Sequence, residues 1–187
     1  MLGLLDADVA RGTAEGLLGT ASDRWRHVVG VAAAARAVAR VVPHNDVALL
    51  VAAAWLHDIG YSPAIAHTGF HPLDGALHLR DIGAPERLCN LVAFHSGALV
   101  EARHRRMRGG LLIDFAPEES VVADALTFVD MTTSPTGQPV TVDERLAEIL
   151  RRYPRHDPVH RAVTESSPHL RALVARVEAR LAVGQPR

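Results

Sequence analysis

Apolar residues recur every three or four positions along most of the chain, and period-2 alternation of useful length is absent. The first pattern is typical of amphipathic helices, whereas a half-buried strand would need the second. Alanine, leucine and arginine, which are among the most frequent residues, also favour helices. The sequence therefore predicts an all-α fold.

Capping residues and prolines indicate where the helices begin and end. Ser22 can cap a helix that ends before Pro43, and Thr141 with Glu144 matches a capping box. Five prolines suit the first position of a helix, namely Pro72, Pro85, Pro117, Pro158 and Pro168. We expect helices near residues 4–18, 22–42, 46–58, 72–82, 85–95, 98–107, 117–132, 142–152 and 168–183.

The length of 187 residues fits one domain. The segment Thr133–Val140, rich in proline, glycine and threonine, is the clearest internal boundary. We therefore expect a single domain over 1–187, made of a compact helical bundle at about 20–135 and a C-terminal helical extension at about 140–187 that packs back on it.

Composition excludes several classes of protein. The net charge of −1 argues against binding to nucleic acid or an anionic membrane mainly through positive charge. No apolar run reaches the length of a membrane span and no signal peptide is evident, so a cytoplasmic location is expected. All 20 basic residues are arginine, which excludes lysine chemistry, and the single Cys89 excludes a thiolate zinc cage.

Five polar residues continue the apolar stripes of predicted helices: His27, His57, Asp58, His95 and Asp130. A buried, ionised aspartate is costly unless it is paired. Taken singly, such a histidine is more often a hydrogen-bonded core residue, and such an aspartate is usually a cap or an arginine partner. One metal centre would explain all five together. Imidazole and carboxylate ligands leave iron, manganese, magnesium or mixed-ligand zinc open.

The sequence contains the doublet His57-Asp58, followed by Ile59-Gly60, with one histidine before it and an aspartate far after it. This pattern resembles that of the HD-domain (HDIG-type) metal-dependent phosphohydrolase superfamily. His27 and Asp130 match the first and last positions, with Asp124 as a second candidate for the last. Two further segments are similar to those of family members, one from Phe70 to Ala76 around His71 and one from Ala93 to Gly97 around His95. The resemblance covers roughly residues 20–135.

The resemblance implies roles for these residues. His27, His57, Asp58 and Asp130 would bind one divalent ion, and His71 and His95 would contribute to a second, with Asp58 bridging the two. Metal-activated water would attack the phosphorus atom. Because the chain has no lysine, arginine would bind the substrate phosphate, and Arg24, close to His27 in sequence, is the candidate. Asp74 and His78 are candidates for the proton donor. The run of Arg103, Arg105, Arg106 and Arg108 is interpreted as a solvated helix end.

The implied activity is hydrolysis of a phosphate ester or anhydride in a nucleotide-like small molecule. Tyr61 stands where many relatives have lysine or arginine, and the His-His pair of cyclic-dinucleotide phosphodiesterases is absent, which disfavours cyclic-di-GMP as substrate. The main alternative to a hydrolase is a non-catalytic sensor that binds metal and nucleotide. A further alternative is an HD-type di-iron oxygenase. The resemblance is to a family whose members are often dimers, so a homo-oligomer is kept as an alternative to a monomer.

Overall fold

The computed structural model describes residues 3–183, which form helices joined by short turns. In chain order the α-helices are α1 (Ala7–Leu18), α2 (Asp23–Ala37), α3 (Val47–Leu56), α4 (His71–Asp81), α5 (Glu86–Phe94), α6 (Ala98–His104), α7 (Arg108–Asp114), α8 (Val121–Met131), α9 (Val142–Arg152) and α10 (Pro158–Val183). Within 3–183 the only β pairing is an isolated bridge between Thr133 and Pro139. The predicted all-α fold is confirmed.

Two of the predicted helix starts are confirmed by their hydrogen bonds. The hydroxyl of Ser22 accepts a hydrogen bond from the backbone N–H of Trp25 at the start of α2. Thr141 and Glu144 form the reciprocal capping box of α9. Such caps satisfy backbone donors that the first turn of a helix leaves without partners. Helix α2 is shorter than predicted, because it ends at Ala37 and a 3₁₀ turn follows.

Helices α1 and α6 are also shorter than predicted. Three further differences from the predicted helices have local explanations. Helix α7 was missed because Gly109 and Gly110 lower its helix propensity. Helix α8 starts after Ser120, whose hydroxyl accepts from the N–H of Ala123, and Pro117 lies outside it. Helix α10 starts at Pro158 and continues through Pro168. Proline in a helix interior removes one hydrogen bond, yet tertiary packing keeps this helix continuous.

Helix α3 lies at the centre of the main hydrophobic core. Every residue from Leu49 to Leu56 is buried, so the helix is enclosed on all sides by its neighbours. Trp25 of α2 stacks on Trp55, with ring centroids 5.6 Å apart. Because His57 and Asp58 follow α3 directly, the fold places this doublet inside the protein.

A second, smaller hydrophobic cluster attaches the C-terminal helices. Met131 at the end of α8 packs with buried residues of α9 and α10, namely Leu146, Ile149, Leu170 and Val174. The C-terminal residues therefore pack against the end of α8, next to Asp130. Among residues 3–183, no helix combines the length and the apolar character needed to cross a membrane.

Candidate metal centre

The six residues that the sequence marks as candidate ligands converge on one point. They come from the interior of α2 (His27), the end of α3 (His57 and Asp58), the start of α4 (His71), the end of α5 (His95) and the last turn of α8 (Asp130). All are buried except His71, whose side chain is 14% exposed. Five separate elements thus supply imidazole and carboxylate groups to one site.

Asp58 lies between two groups of histidines. Its Oδ2 atom is 3.7 Å from Nε2 of His27 and 3.4 Å from Nε2 of His57. Its Oδ1 atom is 3.4 Å from Nε2 of His71 and 3.9 Å from Nε2 of His95. One carboxylate therefore presents a different oxygen to each group.

Asp130 belongs to the first of these groups. Its Oδ1 atom lies 3.0 Å from Nε2 of His27 and 3.9 Å from Nε2 of His57. In the second group, the Nε2 atoms of His71 and His95 are 3.2 Å apart. Each group, His27–His57–Asp130 and Asp58–His71–His95, brings its ligand atoms within 4.8 Å of one another, close enough to share a metal ion.

Backbone carbonyls orient three of the four imidazoles. The Nδ1 atoms of His27, His57 and His95 lie 3.0, 2.9 and 2.7 Å from the carbonyl oxygens of Ser134, Ala54 and Val92. A carbonyl only accepts, so each Nδ1 carries the proton and donates it. The Nε2 lone pairs are then free to bind metal, as is common for histidine ligands.

The Nε2 atom of His57 shows that the donor set fits a metal. It is fully buried and makes no hydrogen bond with any described residue, although Asp58 Oδ2 lies 3.4 Å away. A buried nitrogen without a partner carries a desolvation cost. A divalent cation would supply that partner.

The ionisation states of the two carboxylates and of His71 and His95 suit metal ligation, whereas the pKa of His57 is raised because Asp58 and Asp130 outweigh its burial. Burial opposes the ionisation of Asp58, but Arg24 and His57 outweigh it and hold its pKa well below the ordinary value. Burial likewise opposes ionisation of Asp130, yet the neighbouring His27, His57 and Arg145 lower its pKa. Burial lowers the pKa of His71. Anionic carboxylates beside a neutral imidazole are the forms that bind metals.

Arg24 and Tyr61 form one side of the site. The guanidinium of Arg24 donates to Oδ2 of Asp58 at 2.5 Å and lies 3.9 Å from the centre of the Tyr61 ring. That ring in turn stacks on His71, with centroids 4.0 Å apart. Tyr61, which departs from the pattern of many relatives, therefore orders both an arginine and a candidate ligand.

A close approach of two glycines brings the carbonyl of Ser134 to His27. A Cβ atom on Gly30 of α2 would lie 2.4 Å from the carbonyl oxygen of Gly137. Only glycine allows the 134–137 turn to pack this closely on α2. The segment Thr133–Val140, interpreted from sequence as a boundary, thus also positions a ligand.

Ser96 orients Asp130 from a rare backbone conformation. Its φ of 47° is in the left-handed region, which serine seldom adopts. Its hydroxyl donates to Oδ2 of Asp130 and its N–H donates to Oγ1 of Thr127 at 3.4 Å. Sequence reasoning noted this serine only as part of a motif, and the strained turn is what brings it to the aspartate.

Four of the six candidate ligands line a cavity: Asp58, His71, His95 and Asp130. Besides the ligands and Arg24, its lining includes Glu101 of α6 and three polar side chains near the C-terminal part of the chain: Arg145, Arg152 and Tyr153. The sequence assigned no role to these residues. The C-terminal helices therefore form part of the cavity wall.

Asp74 and His78 lie elsewhere on α4 and do not line this cavity. Both oxygens of Asp74 accept backbone hydrogen bonds, from Thr68 at 2.8 Å and from Gly69 at 3.1 Å, so its carboxylate orders the preceding loop. His78 is half-buried one turn further along the helix. Their role as proton donors stays a prediction.

Two other sequence interpretations can be compared with the structure. Asp124, the second candidate for the distal aspartate, faces Arg176 and Arg180 of α10 instead of the ligands. Arg105, interpreted as part of a solvated helix end, is half-buried and donates to Oε1 of Glu101 at 2.6 Å. The basic run therefore contacts a cavity residue at this one position.

Comparison with known families agrees with this geometry. The HD domain profile matches residues 24–129, more than half of the chain. The chain belongs to the HD domain family. The match includes His27, His57, Asp58, His71 and His95 and ends one residue before Asp130. Searches of curated proteins and of solved structures find no significant match.

Proposed function

We propose that this HD protein is a metal-dependent phosphohydrolase that hydrolyses a phosphate ester or anhydride of a nucleotide-like small molecule. The position of Asp58 is the observation that carries the proposal, because its two oxygens face two separate groups of nitrogen ligands. Two-metal phosphatases hold two cations about 3.5–4 Å apart on one substrate, and a carboxylate with one oxygen facing each group could bind both. A sensor that only binds nucleotide has no need of two complete ligand groups.

Divalent ions at this centre would supply Lewis acidity, which activates water near neutral pH and neutralises charge on phosphate oxygens. The remaining tasks fall to the chain. Arg24 would bind an oxygen of the reacting phosphate, since its guanidinium lines the cavity directly beside Asp58. Stacking on Tyr61 restricts that guanidinium and so fixes the direction of its N–H groups.

Glu101 is the cavity residue best suited to protonate the leaving group. Burial raises the pKa of Glu101, although the hydrogen bond from Arg105 lowers it. A carboxyl group with a raised pKa keeps a larger protonated fraction near neutral pH, as a general acid requires. Asp74, by comparison, is already engaged by two backbone N–H groups.

The test compares the metal content and activity of the wild-type protein with those of Asp58→Ala. Elemental analysis of the wild type should give about two equivalents of iron or manganese per chain, and a panel of nucleoside phosphates should release inorganic phosphate. Asp58→Ala should lose metal and turnover together, because both ligand groups share this carboxylate. Asp124→Ala is the matched control, since Asp124 pairs with arginines away from the site.

His71→Ala separates the two ligand groups. We expect it to lose one metal equivalent and to retain the other, because His27, His57 and Asp130 are left intact. Unchanged stoichiometry would show that the second group binds no ion. A wild-type protein that takes up no divalent ion would contradict the proposal and favour a sensor. Oxygen consumption by the iron-loaded protein without phosphate release would indicate the oxygenase.

A further inference from the structure

Helix α9 presents two arginines to the cavity, and one carboxylate holds both. Glu148 accepts from Nη1 of Arg145 at 2.7 Å through Oε2 and from Nη2 of Arg152 through Oε1. The three residues follow one another at helical spacing, so they share a face of α9. Both guanidiniums line the same cavity as the candidate metal ligands.

Arg145 has hydrogen-bonding capacity that the described residues leave unused. It is only 6% exposed, and its Nε atom is buried without a hydrogen-bond partner. Its Nη2 atom lies 3.8 Å from Oδ1 of Asp130, beyond hydrogen-bond distance. Glu148 already balances the charge of Arg145, but a buried N–H of a charged group without an acceptor is costly, so a further acceptor is expected. A phosphate group offers oxygens that match the fork of a guanidinium.

The charge of the cavity indicates how large that anion is. The carboxylates of Asp58 and Asp130 line it with the guanidiniums of three arginines, Arg24, Arg145 and Arg152. Glu148 pairs with two of these guanidiniums, so the formal charges of these groups cancel when Glu101 is protonated as the general acid. Two divalent ions would add four positive charges. A single phosphate monoester, a dianion at most, would balance only half of them. Two adjacent phosphate groups would come much closer to balance.

We propose that Arg145 and Arg152 bind a second, non-reacting phosphate, and that the substrate is therefore a phosphoanhydride with at least two adjacent phosphate groups. This inference rests on the proposed function, which supplies the reacting phosphate and its metals. In the reaction the oxygen of water bonds to the reacting phosphorus and the bond from that phosphorus to the bridging oxygen breaks. The departing phosphate keeps the electron pair and takes up a proton from Glu101, and the proton of the attacking water passes to solvent.

The experiment measures the binding of inorganic pyrophosphate and of orthophosphate to manganese-loaded protein by calorimetry, after excess metal has been removed. Wild type should bind pyrophosphate ~10- to 100-fold more tightly than orthophosphate, the gain expected from one or two charge-assisted hydrogen bonds. Arg145→Gln and Arg152→Gln should each lose ~10-fold or more of that preference without changing metal content. Arg151→Gln is the matched control, because Arg151 is exposed on the same helix and does not line the cavity.

Arg145→Lys guards against misfolding of the glutamine variant. It keeps a positive charge beside Glu148 but loses the planar fork, so it should melt like wild type and still bind pyrophosphate more weakly. Equal affinities for the two anions in wild type, or variants that retain the preference, would overturn the inference. Tight, arginine-dependent pyrophosphate binding by a protein that hydrolyses neither phosphate esters nor phosphoanhydrides would support this binding site while contradicting the proposed function. Hydrolysis of phosphate esters alone would overturn the inference about the substrate and leave the proposed function standing.

Discussion

Asp58 is a buried carboxylate whose charge its neighbours must balance. Moving an ion of this size out of water costs several kcal/mol even after the protein relaxes. Arg24 provides one partner, at 2.5 Å from Oδ2, and the histidines lie beside both oxygens. The same arrangement that stabilises the charge leaves imidazole nitrogens directed at it, so stability and metal ligation depend on the same contacts.

At the residue scale, the pH dependence of hydrolysis should report Glu101 and its partner. If protonated Glu101 assists the leaving group, kcat/KM falls as pH rises through its pKa. The hydrogen bond from Arg105 lowers that pKa, so Arg105→Gln should move the alkaline limb of the pH profile to higher pH. Glu101→Gln should abolish the limb.

The measurement is kcat/KM against pH for these variants and for Arg103→Gln. Arg103 lies on α6 together with Glu101, but it pairs with the exposed Glu165. Arg103→Gln should therefore keep the wild-type pH profile. A limb that stays in place or moves to lower pH in Arg105→Gln would show that Glu101 is not the titrating group.

The six candidate ligands can be identified from the sequence because most of them continue an apolar stripe or belong to a family motif. Arg145 satisfies the first criterion too, since it lies three residues after Val142 and four before Ile149, and it could have been found in that way. Ser96 and Tyr61 could not, because they act from short 3₁₀ turns, where no periodic pattern exists. Their positions depend on how distant elements pack.

At the scale of elements, the order of helices was predictable and several of their ends were not. Capping groups identify the starts of α2 and α9, where a side chain satisfies the first backbone donors. Pro168 misleads because proline is common at helix starts, yet α10 continues through it. Hydroxyls of Ser166 and Ser167 donate to carbonyls one turn earlier in this region. Neither bond reaches the carbonyl of Thr164, which Pro168 leaves without its helical donor. Whether a helix continues through a proline is decided by packing and leaves little trace in the sequence.

Gly60 sets the distance between the end of α3 and the start of α4. A Cβ atom there would lie 2.0 Å from the carbonyl oxygen of His71 and 2.7 Å from the nitrogen of Gly75. Gly60→Ala should therefore displace His71 and lower the free energy of unfolding by ~1–3 kcal/mol. The loss should be larger if the backbone atoms that clash with the new Cβ cannot move. We expect loss of one metal equivalent.

Urea unfolding and elemental analysis would test this expectation, with Gly109→Ala as control. Gly109 lies in the helix α7 with open space around its Cβ position, so alanine there should be neutral or stabilise by ~0.5–1 kcal/mol. Full metal content in Gly60→Ala would show that α4 can shift without moving His71 from the site.

At the scale of the whole molecule, the cavity depends on two hydrophobic clusters. The larger one fixes the helices that carry the metal ligands, and the smaller one attaches α9 and α10 to the end of α8. The sequence predicted that the C-terminal helices pack back on the bundle. It did not predict that they line the cavity, because no local pattern in the sequence shows that α9 borders the same cavity as the ends of α3 and α5.

Leu146 tests whether the smaller cluster positions the arginines of α9. It is 1% exposed and packs with Met131, directly after Asp130. Leu146→Ala should cost ~2–5 kcal/mol of the free energy of unfolding, the usual range for a large core residue. Because α9 also carries Arg145, pyrophosphate affinity should fall as well, while the metal ligands on other helices keep their ions.

Denaturant unfolding, calorimetry with pyrophosphate and metal analysis would separate these effects, with Leu112→Ala as the control. Leu112 is 38% exposed on α7, so its truncation should cost much less and leave pyrophosphate binding unchanged. Loss of metal together with pyrophosphate binding in Leu146→Ala would show that the smaller cluster supports the whole centre. Retention of both would mean that α9 holds its arginines in place without this packing, and that the capping box and the Glu148 ion pairs suffice.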